Sequence, residues 1–584
     1  MAPPRTLYVA LLLSPVFANP TLYGQRSDYS PYYHGQAHES TIGAVSCESD
    51  ICARIGTSFL KDGSNAADAL VATVFCVGVV GMYHSGVGGG GFGLIRKPDS
   101  LCTSEKERFE FVDFRETAPA AAYEDMYKDN SNGSVYGGLA SGVPGEVRGL
   151  QHIYENYGSG KFSWAELMAP AIAVARLGWR VNEDLISYMA SAVASGSTGD
   201  FLVHNAEFAK DFAPNGTRLQ LNQTITRARY ANTLEKIANG GPNAFYEGEL
   251  AEAMITTLQS CNGTMTLDDL KNYTVAVRNI TQIDYRGYKV SSIGAPGGGP
   301  VALAALNILQ QYEAVGEAGL NITTHRLDEA MKFAYGMRTE LGDPLFLADM
   351  DEYVQDMISN DLALAVKGRI SDSHTLNASA YDPKGLEILN TPGTSHINVA
   401  DASGMAISLT TTINLLFGSQ VVVPESGIIM NDEMNDFSIP NVTNAFGYIP
   451  SPANYVRPGK RPLSSMSPVI VEFPNGTLYL VVGAAGGSRI TTATIQNIWN
   501  VLDRNMTTLQ ALKEPRLHDQ LIPLTTSFEF TYSNDTVDYM REKGHNITFV
   551  APGGSTAQAL RRLGNGTFEA AGEPRQMNSG GFAV

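Results

Sequence analysis

Cysteine is scarce in this chain: five in 584 residues, namely Cys47, Cys52, Cys76, Cys102 and Cys261. The odd count leaves at least one thiol free or paired outside the chain. No C-x2-C…H-x3-H or H-E-x-x-H spacing occurs, so no zinc site is indicated. Basic residues are also short, with 41 Lys and Arg against 59 Asp and Glu and a formal charge of -18. With no Lys/Arg cluster to offset it, this balance argues against nucleic acid or anionic lipid as the main partner. Charged residues make up only 17% and apolar ones 43%, so a large core can be buried and global disorder is excluded. No stretch reaches the ~18 uninterrupted apolar residues of a spanning helix. The 58 glycines follow no Gly-X-Y period, which excludes collagen. At roughly 100–200 residues per domain the length suggests three or four domains, yet no repeat and no long linker divides the chain.

What is present begins at the N-terminus. Arg5 precedes the apolar run Leu7–Leu13, followed by Pro15 and the small-residue end Val16-Phe17-Ala18. That is the charged, apolar and cleavage-site order of a secretory signal over residues 1–18. Fourteen N-x-Ser/Thr sequons, from Asn132 to Asn565, point the same way, to a glycoprotein of the secretory pathway. The expected destination is extracellular, with the cell wall and the vacuole as alternatives.

Residues 64–80 (SNAADALVATVFCVGVV) are apolar on nearly every face and read as a buried helix capped by Asn65. Segments 163–178 and 325–342 show helical spacing with Gly at their ends. In the second half, 396–413, 419–423, 467–472 and 477–482 are rich in β-branched residues and read as strands. Helical patterns return at 490–503 and 556–563. Mixed α and β layers fit this order better than an all-β sandwich.

Several segments can carry chemistry. The run Gly86-Val87-Gly88-Gly89-Gly90-Gly91 lacks the Lys-Ser/Thr of a phosphate loop and feeds a strand, so it reads as a tight backbone crossing. Arg115, in Asp113-Phe114-Arg115-Glu116, could fork onto a substrate carboxylate or pair with its acidic neighbours. At Pro392-Gly393-Thr394-Ser395-His396, a turn precedes a hydroxyl residue that opens a strand. Were the Gly393–Thr394 bond cut, Thr394 would carry a free α-amine, with pKa near ~7.7–8, beside its own hydroxyl. Such an amine serves as general base without a histidine, and the hydroxyl could itself make the cut by an N-to-O acyl shift. An ordinary turn before a strand is the alternative. Ser464-Ser465 offer hydroxyls, and Gly486-Gly487 follow a strand where amide N–H groups can converge on an oxyanion.

The ordered blocks DGSNAADA, SGVGGGGF, DFRETAP, SGVPGEVRGL, PGTSHINVAD, TTTIN, ESGIIMNDEMNDFS, KRPLSSMSP and GAAGGSRI closely resemble γ-glutamyltranspeptidases. The likeness runs from about Gly43 to the C-terminus. It implies an α+β fold, the N-terminal-nucleophile (Ntn) hydrolase sandwich of two sheets between helical layers. It also implies a proenzyme that cuts itself into a large subunit, 19–393, and a small catalytic subunit, 394–584, which stay together as a heterodimer. By motif, Thr394 is the expected nucleophile and Thr412 its supporting threonine. Arg115 would clamp the α-carboxylate of the γ-glutamyl group with Ser464 and Ser465. Asn414, Glu433 and Asp436 would hold its α-amino end, and Gly486 and Gly487 would form the oxyanion hole. The expected substrates are glutathione and related γ-glutamyl compounds, with water, an amino acid or a dipeptide as acceptor; no cofactor or metal is expected.

The sequence departs from the family pattern in places. Ser395 stands where many relatives have a second Thr. Tyr83 takes the place of the family histidine before the glycine run, with His84 one position later and given no role. Glu433 resembles the animal-type enzymes, where many bacterial relatives carry an amide. Residues Asn441–Arg457 occupy the place of a lid, with Phe446 near its aromatic. Cys52 and Cys76 resemble a disulfide pair of animal relatives. A glutaryl or cephalosporin acylase shares the fold and the self-cleavage but has no need of acids for an α-amino group.

Overall fold

The computed structural model describes residues 40–101, 107–196, 199–386, 393–440 and 449–584. The signal segment, Cys102, the sequon at Asn441 and Phe446 lie outside the described residues.

Thirteen strands build two sheets. They are β1 (Gly43–Cys47), β2 (Gly90–Arg96), β3 (Phe109–Phe114), β4 (Ala276–Arg278), β5 (Ile280–Tyr285), β6 (Tyr288–Ile293) and β7 (Ser395–Asp401). Then follow β8 (Ala406–Thr412), β9 (Val469–Glu472), β10 (Leu478–Ala485), β11 (Thr556–Arg562), β12 (Phe568–Ala571) and β13 (Gly580–Ala583). The first sheet has the order β13-β1-β7-β8-β2-β3-β4, the second β12-β11-β10-β9-β6-β5. Neighbouring strands in both are antiparallel.

The sheets face one another, with β10 and β11 against β7 and β8. A helical layer covers each outer face. Helices α1 (Asp50–Lys61), α2 (Ala66–Val80), α3 (Glu146–Tyr157) and α4 (Trp164–Leu177) belong to the first layer. Helices α5 (Gly299–Gln310), α6 (Leu320–Arg338) and α7 (Arg489–Leu502) belong to the second. This is the α+β sandwich of the Ntn hydrolases, and His34–Val584 forms one compact unit where length alone suggested three or four domains.

Local chemistry explains the elements. Asn65 accepts from the amides of Ala67 and Asp68, which caps α2 as its sequence demands, and every residue of α2 is buried. Ser163 and Glu166 close a capping box on α4, and Gly178 ends it with φ +85°. The run at 396–413 is two strands, β7 and β8, joined by a turn in which Gly404 has φ +82°. Helix α6 begins and ends earlier than 325–342.

Two expectations fail. Residues 419–423 form no strand of either sheet, because a turn at 416–419 leaves only the isolated bridge Val422–Ile429. Residues 556–563, helical by propensity, form β11, which is paired on both edges by β10 and β12, so ladder bonding overrides the local preference. The expected Cys52–Cys76 disulfide is present and ties α1 to α2; Cys47 is a buried free thiol.

The glycine run is a backbone crossing. A Cβ on Gly89 would lie 2.0 Å from the Thr412 carbonyl oxygen, and one on Gly91 2.1 Å from that of Thr410. Glycine is therefore required for β2 to lie against β8.

Between the sheets the core is partly polar. His396 pairs with the Thr410 hydroxyl and with Asn398 Oδ1, each at 2.9 Å, and Asn398 donates to the Gln558 carbonyl on the facing sheet. Burial lowers the His396 pKa to about 4, so the ring is a neutral structural link.

Candidate active site

The site gathers at the ends of the central strands. Thr394 stands immediately before β7 and is 5% exposed. The β7–β8 ladder pairs Ser395 with Thr411, so one step further the antiparallel register sets Thr394 opposite Thr412. The chain turns through φ +131° at Gly393, which glycine adopts freely, and is strained at the β-branched Thr394 with φ +125°. A Cβ on Gly393 would lie 1.7 Å from the Asn414 carbonyl oxygen, so only glycine can occupy that position. Thr412 Oγ1 accepts from the Asn414 amide at 2.8 Å, and Asn414 Nδ2 donates to the Asp432 carbonyl at 3.0 Å. Thr394, Thr412 and Asn414 thus meet at one strand end.

Behind the junction lies a network that sequence reading missed. Ser395 Oγ donates to Glu48 Oε1 at 2.6 Å, and His84 Nδ1 bonds Glu48 Oε2 at 2.9 Å. His84 sits edge-on to both Tyr83 and Tyr188. Glu48 follows β1, remote in sequence from all its partners, and no local motif marks it.

The charged part of the site begins at Arg115, just after β3 and 1% exposed. Its Nη1 lies 2.5 Å from Glu433 Oε1 and its Nη2 2.5 Å from Asp436 Oδ2. The structure therefore joins Arg115 directly to the two acids, which the family resemblance had assigned to the opposite pole of the ligand. Glu116 and Asp432 are buried alongside. Burial pushes Glu116 up to about 7, against the pull of the Arg115 cation. Burial likewise drives Glu433 and Asp432 well above the usual carboxylate range. Glu433 Oε1 is taken by its ion pair with Arg115, whereas Glu433 Oε2, both Glu116 oxygens, Arg115 Nε, Asp432 Oδ2 and Asp436 Oδ1 make no hydrogen bond among the described residues. Asn431, also missed, links this region to the glycine run: its side chain accepts from the Gly142 and Glu433 amides and donates to the Gly88 carbonyl.

Ser464 and Ser465 lie on a separate segment. Ser464 Oγ accepts from the Met466 amide and Ser465 Oγ from Arg338, each at 3.2 Å. Gly486 and Gly487 follow β10 with φ +121° and +60°, at the turn into α7. Among the described residues no hydrogen bond joins these two glycines, or the two serines, to Thr394 or Arg115. Of the lid-like segment, Asn454 donates to the Asp436 carbonyl at 2.7 Å, which anchors its second half beside the acids.

One group has the make-up of a metal site, His325, Glu329 and His545. The Lys332 ammonium already occupies it, 2.6 Å from Glu329 Oε1, and His325 Nδ1 bonds His545 Nε2 directly at 2.7 Å.

A four-layer sandwich with a hydroxyl residue at the head of a central strand defines the class of N-terminal-nucleophile hydrolases. The solved cephalosporin acylase from Bacillus halodurans has this fold with a TM-score of 0.80, at 26% identity over 96% of this chain and 99% of its own. More particularly, the chain belongs to the γ-glutamyltranspeptidase family: the model described as gamma-glutamyltranspeptidase matches residues 52–582. It is 52% identical to a glutathione hydrolase proenzyme of Arthroderma benhamiae, over 96% of this chain and 97% of that protein. It is 49% identical to a glutathione hydrolase of Aspergillus flavus, over 93% and 90%. The solved Helicobacter pylori gamma-glutamyltranspeptidase aligns over 57% of this chain and 92% of its own, at 29% identity and a TM-score of 0.51.

Proposed function

We propose that the chain is a self-processing γ-glutamyltransferase and glutathione hydrolase that works through a γ-glutamyl ester on Thr394. The observation that carries this reading is the strained Gly393–Thr394 junction, pressed against Asn414 at the head of β7. Thr394 Oγ attacks the Gly393 carbonyl carbon, the C–N bond breaks and the chain passes to the oxygen as an ester. Water then hydrolyses the ester, leaving residues 19–393 and 394–584 as two associated polypeptides. Strain of about 1–3 kcal/mol per unfavourable backbone position is released in that step. The proenzyme in the name of the Arthroderma relative fits such a cut.

The freed α-amine of Thr394 then removes the proton from its own hydroxyl. The oxygen attacks the γ-carbonyl of glutathione or a related amide, with Gly486 and Gly487 amides facing the oxyanion and Thr412 beside the nucleophile. The leaving amine takes the proton, and water or the amine of an amino acid or dipeptide resolves the ester. Arg115 meets the substrate α-carboxylate with Ser464 and Ser465, while Asn414, Glu433 and Asp436 meet the α-ammonium. In the free protein the cation and acids neutralise one another; a zwitterionic substrate exchanges partners with them, ammonium for guanidinium and carboxylate for carboxylate. An acylase acting on glutaryl groups has no use for this acid set, so γ-glutamyl anilides should be cleaved far faster than glutaryl anilides.

Passage through the secretory pathway suits the surface. Of the thirteen described sequon asparagines twelve are exposed, Asn321 being half-buried. No helix of the described residues is long and apolar enough to cross a membrane.

Denaturing mass measurement after deglycosylation, with N-terminal sequencing, tests the cut. A fragment beginning at Thr394 is expected from the wild type, and one uncut, inactive chain from Thr394→Ala. Normal cutting in Thr394→Ala would sink the assignment.

A further inference from the structure

Arg338 is the last residue of α6 and is 6% exposed. Its guanidinium makes one hydrogen bond among the described residues, from Nη2 to Ser465 Oγ at 3.2 Å, and its buried Nε has no partner. A guanidinium only donates, whereas a serine hydroxyl has one proton and two lone pairs. The contact therefore occupies a lone pair of Ser465 and leaves its O–H free to donate elsewhere. Ser465 finds no acceptor for that proton among the described residues, and its neighbour Ser464 is arranged the same way, with a lone pair given to the Met466 amide.

The Ser465 backbone is fixed as well. Its carbonyl accepts from Thr491 Oγ1 at 3.1 Å, and Gly298 packs so closely that a Cβ there would lie 2.6 Å from the same oxygen. One turn earlier on α6, Tyr335 donates to the Ser488 carbonyl at 2.5 Å, directly after Gly486-Gly487. The end of one helix thus holds both Ser465 and the residue that follows the glycine turn.

We propose that Arg338 is a positioning residue of the substrate-carboxylate subsite: it locks Ser465 as an acceptor so that its hydroxyl proton is presented to the α-carboxylate of the γ-glutamyl group. This rests on the reading of Ser465 as a carboxylate partner. Arg338 itself does not touch the substrate. Its positive charge polarises the Ser465 O–H and so strengthens the bond that the hydroxyl donates.

The test is a double-mutant cycle in the matured, full-length enzyme with two donors, a γ-glutamyl anilide and a 4-aminobutanoyl anilide that lacks only the α-carboxylate. Ser465→Ala and Arg338→Met should each lower kcat/KM for the γ-glutamyl donor about tenfold, mainly through KM, as expected for one hydrogen bond to a charged group. The double variant should lose no more than either single one, and the 4-aminobutanoyl donor should be unaffected. Arg338→Lys should recover part of the loss; it carries the same cycle if Arg338→Met does not mature. Additive losses, or equal losses on both donors, overturn the positioning role. A silent Ser465→Ala overturns instead the reading of Ser465 on which it rests.

Discussion

Two buried charge clusters, both joining residues before and after position 394, differ in one respect. Around Lys332 the partners are closed. Its ammonium meets Glu329 at 2.6 Å and Asp328 at 3.6 Å, and His545 bonds Asp328 at 2.9 Å. Only Asp328 Oδ1 is left without a hydrogen bond there. Around Arg115, six polar atoms of five residues have neither a hydrogen bond nor an ion-pair partner, although all are buried. Orphaned buried polar atoms are costly and rare, so their concentration at one place marks where a ligand's charges belong. The first cluster is a structural clasp; the second has the unused donors and acceptors that the proposed zwitterionic substrate would take up.

Variants can break this contrast. The largest effect is expected from Arg115→Ala, which should still mature but lose roughly a thousandfold in kcat/KM, the scale of truncating one partner of a buried charge pair between protein and ligand. Steady-state kinetics against γ-glutamyl anilides checks this, and an unchanged KM would remove the clamp role. Its melting temperature should fall little, because the acids left behind take up protons, as burial already favours for Glu433. Lys332→Met should do the opposite. Against burial, Lys332 and the histidines hold Asp328 below its ordinary pKa, so removing Lys332 takes away the main charge that offsets its burial and leaves His545 as its one ion-pair partner among the described residues. A loss of about 3–5 kcal/mol in denaturant unfolding is expected, with KM unchanged in the folded fraction.

The smallest effect concerns pH. Glu116 keeps its proton to about 7 in the folded protein, while an unfolded carboxyl releases it near 4.5. Between those values the folded state binds more protons, so the stability contributed by this group declines as pH rises. Glu116→Gln carries no such term and should gain roughly 3 kcal/mol over the wild type at pH 8 but nothing at pH 4, on the scale of 1.36 kcal/mol per pKa unit. Urea unfolding at both pH values checks it. Equal differences at the two would rule out a retained proton.

Much of this was legible in the residue order. Asn65, Ser163 and Gly178 announce helix ends through short-range hydrogen bonds, and they do so here. The crossing at Gly88–Gly91 was also readable, because a run of glycines feeding a strand has few other uses; the chemistry proposed at Thr394 came from the family resemblance, since a hydroxyl after a turn is common. What escaped depends on partners distant in sequence. Thr556–Arg562 becomes a strand only through β10 and β12, and 419–423 lacks such neighbours. Glu48, Asn431 and Arg338 sit in unremarkable local sequence and gain their roles from residues more than 100 positions away.

The order of the first sheet has one more consequence. Strand β1, from the part before residue 394, lies between β13 and β7, both from the part after it. Its neighbour β13 is followed by Val584, whose carbonyl accepts from the Ile42 and Gly43 amides. A precursor assembles this interleaved ladder as an intramolecular reaction, at an effective concentration in the millimolar range for connected segments. After a cut before Thr394 the same ladder, once opened, must be rebuilt by two diffusing molecules. Processing would thus turn a refoldable protein into one whose endurance is governed by how slowly it opens, a lifetime rather than an equilibrium.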